Sequence, residues 1–286
     1  MAEPTVPATG RLQGEPHEPR DDAGRHEHRV PGPPPPLSLF PDQPRTILLL
    51  HGLAGHLGEW DALTPGLLAA GFRVVSYDAR GHGASTRRPP TVNRAAHVAD
   101  ARTLIQELGL SRVTVLGQSM GGNTAMLLAS AHPELVVSLI LVEAGPGGPN
   151  PAVPTQTAAW LDSWPTPFTS LAQAETFLGH EAWARSLEQR RDGWHPRFDR
   201  DTMIATITEL MARAYWLEWE RLTCPTLVVR GGKGTLPAGE AEEMLRRRPK
   251  GTRLTVVPDA GHDVHLDRPE QLLEAVTRPY ARRPAR

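Results

Sequence analysis

The sequence of 286 residues contains one cysteine, Cys224, and no long hydrophobic run. A single cysteine excludes a framework of internal disulfide bonds and favours a reducing compartment. No apolar stretch approaches the roughly 20 residues that span a bilayer, and the N-terminus lacks the basic and apolar parts of a signal peptide. The formal net charge of −1 offers no basic surface for nucleic acid or an anionic membrane. These absences predict a soluble, cytoplasmic protein that binds neither nucleic acid nor a membrane.

Residues 1–36 are rich in Pro, Glu, Arg and His and end in four consecutive prolines. Such a segment cannot bury enough apolar surface to offset the entropy of ordering it. We therefore expect a disordered tail over 1–36. Order is expected to begin at 37–40, the apolar sequence Leu-Ser-Leu-Phe, which is a candidate strand.

Beyond this point, short β-branched runs alternate with helical patterns. Strands are expected over 46–50, 73–78, 113–116, 136–142, 226–229 and 253–257. Helices are expected over 93–108, 120–131, 238–247 and 269–277. This alternation predicts an α/β fold with a mostly parallel central sheet and helices on both faces.

The segment 146–222 interrupts the alternation with helical patterns and no convincing strand. It contains six of the seven tryptophans. We expect a helical cap over 146–222, inserted between core segments 37–145 and 223–286. Most of the tryptophans should pack the cap onto the core, and Trp160, Trp164 and Trp216 are candidates for lining a substrate pocket.

The sequence Gly117-Gln118-Ser119-Met120-Gly121 lies where a predicted strand meets a predicted helix. A serine between two glycines at such a turn is typical of a nucleophile elbow, which holds the hydroxyl above the sheet edge. A motif this short also occurs by chance, so its surroundings must decide whether Ser119 is a nucleophile.

A serine nucleophile needs a base and donors for an oxyanion. His262 follows Gly261 directly after the last predicted strand, at the same sheet edge as the elbow, and is the preferred base. His265 is its rival, at the start of the final predicted helix. The backbone N–H groups of Leu53 and Met120 are the expected oxyanion donors. His51 is interpreted as a local hydrogen-bonding residue.

Four motifs in this order resemble the α/β-hydrolase superfamily. They are His51-Gly52, the stretch 78–85 (Asp-Ala-Arg-Gly-His-Gly-Ala-Ser), the elbow at Ser119, and Gly261-His262. The resemblance covers about residues 37–280 and implies a capped α/β-hydrolase fold that needs no cofactor or metal. It also implies that Asp78 and His82 are structural. With one candidate strand at 37–40, the sheet is expected to lack a usual edge strand.

The third catalytic member departs from the family pattern. The turn that usually bears the acid, 230–237, has no carboxylate. Without an acid the imidazole tautomer is not fixed and the transient imidazolium is unsupported. Glu143 ends the strand after the elbow helix and could reach His262, as the acid does in some haloalkane dehalogenases. Glu143 could also be an ordinary strand-end residue, and Asp259 and Asp263 are weaker candidates for the acid.

The pattern predicts a serine hydrolase that cleaves an ester, lactone or thioester of a small apolar molecule through an acyl-enzyme. A serine nucleophile disfavours dehalogenases and epoxide hydrolases, which use an aspartate. One alternative is a catalytically weak ligand-binding or signalling protein of the same fold. Another is a C–C or amide hydrolase, or a cyclase, of secondary metabolism. No metal-ligand or phosphate-loop spacing is present.

Overall fold

The structure is a computed structural model that describes residues 10–13 and 45–278. Its strands are β1 Gly10–Gln13, β2 Arg45–Leu50, β3 Phe72–Tyr77, β4 Val113–Gln118, β5 Val136–Val142, β6 Glu188–Arg190, β7 Gly193–His195, β8 Thr226–Gly231 and β9 Thr252–Val257. Its helices are α1 Thr64–Ala69, α2 Arg94–Glu107, α3 Ser119–Ala131, α4 Ala152–Asp162, α5 Leu171–Leu178, α6 Glu181–Arg185, α7 Arg200–Leu210, α8 Trp216–Arg221, α9 Ala238–Arg247, α10 Val264–Asp267 and α11 Pro269–Thr277.

Seven strands form one sheet in the order β1-β3-β2-β4-β5-β8-β9. Six of them run parallel, and β1 pairs antiparallel with β3. The parallel strands are joined by crossovers that contain helices, as parallel pairing requires. The predicted α/β fold with a mostly parallel sheet is confirmed.

Helices cover both faces of the sheet, and the central strand β2 shows why. Its residues Ile47 and Leu49 belong to the cluster with α1 and α11, whereas Leu48 and Leu50 belong to the cluster with α2, α3 and α9. Alternate side chains of a strand point to opposite faces. A strand buried on both sides therefore has a continuous apolar sequence, as the run 46–50 does.

Strand β1 corrects the expectation of a disordered tail at residues 10–13, and for the rest of 1–36 that expectation stays a prediction. Gly10–Gln13 pair with β3, Gly10 opposite Tyr77 and Gln13 opposite Val74. The physical reason is that the free edge of β3 offers a row of unpaired N–H and C=O groups, which a short segment can pair with through its backbone alone. Strand β1 also forms an edge strand of the sheet, which was expected to lack one. The candidate strand 37–40 lies outside the described residues.

Residues 146–222, here called the insert, connect β5 to β8 through α4–α8 and a two-stranded hairpin, β6–β7. The expectation of an insert without strands was wrong. Each hairpin strand is only three residues long, which is too short to show an alternating apolar pattern. The insert has its own apolar cluster, which includes Leu161, Trp164, Phe168, Trp183 and Met203.

None of the described helices is both long and apolar enough to cross a membrane.

The predicted helix over 93–108 is confirmed as α2, which begins after Asn93. The Asn93 side chain accepts a hydrogen bond from the N–H of Ala96 at 2.8 Å. Such a cap satisfies one of the free N–H groups of the first helical turn. A cytoplasmic location stays a prediction.

Candidate active site

The carboxyl ends of five parallel strands meet at one edge of the sheet. Residues 51–53 follow β2, Ser119 follows β4, Glu143 follows β5, residues 232–235 follow β8, and residues 258–262 follow β9. A cavity of about 730 Å³ opens at this edge between the sheet and the insert. Ser119, Glu143 and His262 all line it. Residues more than 140 positions apart in the sequence therefore line the same cavity.

Ser119 lies on a strained turn between β4 and α3, with a positive φ of 49°. A Cβ atom at Gly117 would lie 2.3 Å from the carbonyl oxygen of Gly121, and one at Gly121 would lie 2.2 Å from that of Leu50. Only glycine fits at either position. Strain of this kind persists when the surrounding structure fixes it, and it is common at functional sites.

Two buried histidines fix the loop after β2. Nε2 of His51 accepts the N–H of Ala79 at 3.0 Å, and Nε2 of His82 accepts the N–H of Ala54 at 3.0 Å. Burial lowers the pKa of both rings, that of His82 to about 3, so both are neutral at physiological pH. The interpretation of His51 as a hydrogen-bonding residue is confirmed. The bond to Ala54 holds the backbone next to Leu53, which lines the cavity.

The Glu143 carboxylate is buried in a ring of backbone donors. Its oxygens accept hydrogen bonds from the N–H groups of Gly231 at 2.7 Å, Thr235 at 2.6 Å and Leu236 at 2.9 Å. Burial alone would raise the pKa of Glu143, but the hydrogen bonds from His262 and the three amides lower it below its usual value. The carboxylate is therefore ionised at neutral pH. Glu143 itself has a positive φ of 50°.

Gly234 has no side chain because the Glu143 carboxylate occupies the space that one would need. A Cβ atom at Gly234 would lie 2.2 Å from Oε1 of Glu143. The glycine-rich turn after β8 therefore holds a carboxylate that comes from the end of β5. In the sequence, the same turn shows three glycines and no acid.

Thr235 stands between Glu143 and His262. Oγ1 of Thr235 is 2.7 Å from Nδ1 of His262 and 3.3 Å from Oε2 of Glu143. The direct distance from His262 Nδ1 to Glu143 Oε2 is 3.4 Å, at the long limit of a hydrogen bond. The sequence interpretation missed Thr235. The one available signal was its position in the turn that usually bears the acid.

His265, the rival base, lies away from the cavity. It is fully buried in the short helix α10, not at the start of the last helix as expected, and its Nε2 is 3.1 Å from Oε2 of Glu59. Its ring packs on Trp60 with a centroid distance of 4.6 Å. This buried pair joins the segment after β2 to the segment after β9.

The two weaker candidates for the acid contact other groups. Asp259 lies at the surface, 3.5 Å from Lys233. Oδ1 of Asp263 accepts from Gln118 Nε2 at 3.2 Å and Oδ2 accepts from Trp183 Nε1 at 3.3 Å. Among the described acidic residues, Glu143 is the one with a carboxylate oxygen recorded within 4 Å of a ring nitrogen of His262. No group of three His, Cys, Asp or Glu side chains in the described part of the chain could hold a metal ion.

The predicted pocket tryptophans are placed unequally. Trp160 lines the cavity, and so does Trp183, which the sequence interpretation did not single out. Trp164 and Trp216, the other two candidates, are not among the residues that line this cavity. Trp164 packs inside the insert with its ring 5.2 Å from that of Trp160, and Trp216 lies under the Arg247 guanidinium at 4.4 Å. Which tryptophans line a cavity depends on how α4 and α6 dock, and this docking leaves no pattern in the sequence.

A family model described as alpha/beta hydrolase fold matches residues 45–269. The chain therefore belongs to the α/β-hydrolase family, and it is a hydrolase. The sn-1-specific diacylglycerol lipase ABHD11 of Mus musculus is 29% identical over 248 residues, covering 81% of this chain and 79% of that protein. A putative carbamate hydrolase, RutD, of Caulobacter sp. (strain K31) is 30% identical, covering 81% and 89%. The crystal structure of E-2-(acetamidomethylene)succinate hydrolase aligns with a TM-score of 0.74 at 23% identity, covering 82% of this chain and 90% of that chain.

Proposed function

We propose that the protein is a serine hydrolase that cleaves an ester, lactone or thioester of a small, largely apolar molecule through an acyl-enzyme. The observation that carries the proposal is that Ser119, Glu143 and His262 line one cavity. A nucleophile, a base and an acid that orients the base are the groups that acyl transfer requires. The chain order Ser–acid–His is also that of the α/β-hydrolase fold.

In the proposed mechanism, Ser119 attacks the carbonyl carbon and Nε2 of His262 takes the hydroxyl proton. For Nε2 to be free as an acceptor, Nδ1 of His262 must carry the other proton. That N–H donates to Thr235 Oγ1, and the threonine hydroxyl in turn donates to the Glu143 carboxylate. The ionised Glu143 then stabilises the imidazolium that forms. The tetrahedral intermediate then collapses, the bond from the acyl carbon to the alcohol or thiol breaks, and the imidazolium gives its proton to that leaving group. Water, deprotonated by the same base, attacks the acyl carbon and releases the acid from Ser119, whose oxygen takes the proton back from His262.

The oxyanion is proposed to bind the N–H groups of Leu53 and Met120. Met120 is the second residue of α3, so its N–H belongs to the first helical turn. In that turn the backbone amides have no partner within the helix, and the positive end of the helix dipole lies there. A Cβ atom at Gly52 would lie 3.5 Å from the Ser119 Cβ, so the loop that bears Leu53 lies against the nucleophile. Two such donors support a developing negative charge.

The insert is proposed to act as a cap that selects the substrate. Apolar residues of the insert line the cavity, among them Val153, Trp160, Trp183, Ile207 and Leu210. The relatives named as a diacylglycerol lipase and a carbamate hydrolase support hydrolysis of a carbonyl compound. The ligand-binding alternative depended on the acid missing from the turn after β8, and the position of Glu143 weakens that reason.

A fluorophosphonate probe tests the proposal directly. We expect the folded protein to be labelled at Ser119, because only an activated serine displaces fluoride from phosphorus at a useful rate. Peptide mass spectrometry locates the adduct, and Ser119→Ala and heat-unfolded protein serve as controls. Absence of the adduct, or its presence on another serine, contradicts the proposal. A series of p-nitrophenyl esters of graded acyl length then measures the acyl preference.

Thr235 provides a second test of the same site. Thr235→Val removes the hydroxyl between Glu143 and His262 but leaves the backbone N–H bond to Glu143. We expect kcat to fall by about tenfold to a hundredfold with little change in KM, because a hydrogen bond to a charged group is worth about 1.5–3 kcal/mol. Thr235→Ser should restore most of kcat. Equal rates for the valine and wild-type proteins would show that Glu143 acts on His262 without the hydroxyl.

A further inference from the structure

Arg94, the first residue of α2, is a buried cation that has no carboxylate partner in the described ranges 10–13 and 45–278. Its Nε donates to Asn123 Oδ1 at 2.9 Å, and its Nη2 donates to the Met120 carbonyl at 3.1 Å and to the Thr124 hydroxyl. These acceptors are all neutral. Nη1 is buried and has no hydrogen-bond partner among the described residues. By contrast, Arg80 nearby forms a buried ion pair with Asp100 at 2.6 Å.

The charge on Arg94 is retained despite its burial. Burial lowers the pKa of Arg94 to about 10, so the guanidinium is still protonated at neutral pH. Tyr215, Tyr77 and the exposed Glu209 act on it electrostatically, and none of these is recorded in an ion pair with it. A buried charge is costly unless it is paired or fully hydrogen-bonded. An uncompensated cation one side chain away from a ligand cavity points to an anionic ligand.

Asn123 connects this cation to the cavity. It lies four residues after Ser119 on α3, so both side chains are on the same helical face, and both line the cavity. Arg94 has only donors, so the atom of Asn123 that faces it must be the amide oxygen. The Nδ2 group is thereby left to donate into the cavity. Arg94 thus fixes the orientation of the amide and places a positive charge behind it.

The other charged groups of the cavity wall lie elsewhere or are neutralised. The carboxylates of Glu143, Glu240 and Asp263 belong to the segments after β5, β8 and β9. Arg213 is paired with Glu218 at 2.6 Å. The cavity is therefore acidic on the side of His262, and behind α3 lies a cation that no carboxylate in the described part of the chain pairs with. A ligand with one anionic end would be oriented by this difference.

We infer that the end of the cavity against α3 binds a carboxylate in the acyl part of the substrate, held by the Asn123 amide with the charge of Arg94 behind it. The inference rests on the proposed function, since it takes Ser119 as the nucleophile. Four residues of an α-helix rise about 6 Å, which sets the spacing between the reacting carbonyl and the carboxylate. This spacing suits half-esters or half-thioesters of short dicarboxylic acids, such as glutaric acid.

The test compares two esters of equal acyl length at neutral pH, mono-p-nitrophenyl glutarate and p-nitrophenyl pentanoate. We expect the wild-type protein to favour the glutarate in kcat/KM by roughly tenfold to a hundredfold, the value of a hydrogen bond to a charged group. In Asn123→Leu and Arg94→Met this ratio should fall to near one. Arg102→Met, the same substitution on the exposed face of α2, should leave it unchanged.

The outcomes separate this inference from the proposed function. Hydrolysis of both esters that depends on Ser119, with no preference for the glutarate, overturns the inference alone. Failure to hydrolyse either ester, together with failure of the fluorophosphonate label, overturns the proposed function. In that event, titration of the protein with glutarate and with pentanamide decides the inference. Equal binding of the two, or binding of glutarate that Asn123→Leu does not weaken, contradicts a carboxylate site. Circular dichroism establishes that each variant is folded.

Discussion

Replacing Glu143 by Gln is expected to lower kcat for ester hydrolysis by about 10³- to 10⁴-fold, because the amide can neither fix the His262 tautomer nor stabilise the imidazolium. KM should change little, since the carboxylate contacts His262 and not the substrate. The measurement is steady-state kinetics on the best p-nitrophenyl ester. Asp259→Asn is the matched control, since Asp259 is a surface carboxylate three residues before His262. Unchanged turnover in Glu143→Gln, with loss in Asp259→Asn, would overturn the choice of acid.

The same substitution has a predicted signature in stability. The pKa of Glu143 is lowered in the folded protein, so its ionised form stabilises the fold above the ordinary pKa of 4.5. This contribution is lost as the pH falls through the lowered folded-state pKa. The difference in free energy of unfolding between wild type and Glu143→Gln should therefore be largest near neutral pH and shrink under acid conditions. Urea denaturation at several pH values measures it.

Placing a side chain at Gly234 is expected to displace the Glu143 carboxylate from its ring of donors. A Cβ atom there would lie 2.2 Å from Oε1, far inside van der Waals contact. Gly234→Ala should therefore lower kcat by about a hundredfold or more, in the same direction as removing the acid. The fluorophosphonate label at Ser119 should slow with it. A fully active Gly234→Ala protein would show that the carboxylate can move without loss.

The close approach also predicts a rescue. In Glu143→Gly, glycine suits the positive φ at this position, and the space beside Gly234 is empty. Adding Gly234→Asp should then raise kcat about tenfold or more above that of Glu143→Gly, because the new side chain begins next to the space that the Glu143 carboxylate occupied. The effects of two substitutions this close together are not additive. Gly234→Asn in the same background is the control. A double variant no faster than Glu143→Gly alone contradicts a shared carboxylate position.

The sequence was sufficient for the parts of the fold and site that depend on local pattern. The apolar strands, the helix after Asn93 and the elbow at Ser119 each follow from periodicity or from glycines that the turn requires. Since the carboxyl ends of parallel strands meet at one edge, the sequence alone predicts that Ser119, Glu143 and His262 lie near one another.

The parts that escaped prediction depend on contacts between distant segments. Strand β1 forms because β3 has a free edge, and its four residues carry no strand pattern of their own. The donors around Glu143 come from residues 88–93 positions further along the chain, so the turn after β8 looked empty in the sequence. Thr235 and Trp183 belong to the site through docking of loops and helices, which single-sequence patterns do not encode.

The tryptophan pair at the cavity gives the protein an optical reporter of its own. Trp160 is 40% exposed, and the Trp183 indole donates to Asp263, the residue after His262. Indole emission shifts to shorter wavelength when water is removed from the ring and is quenched by neighbouring polar groups. Occupation of the cavity would change both conditions at once. Binding of a slow substrate can therefore be followed by intrinsic fluorescence, with no dye and no turnover.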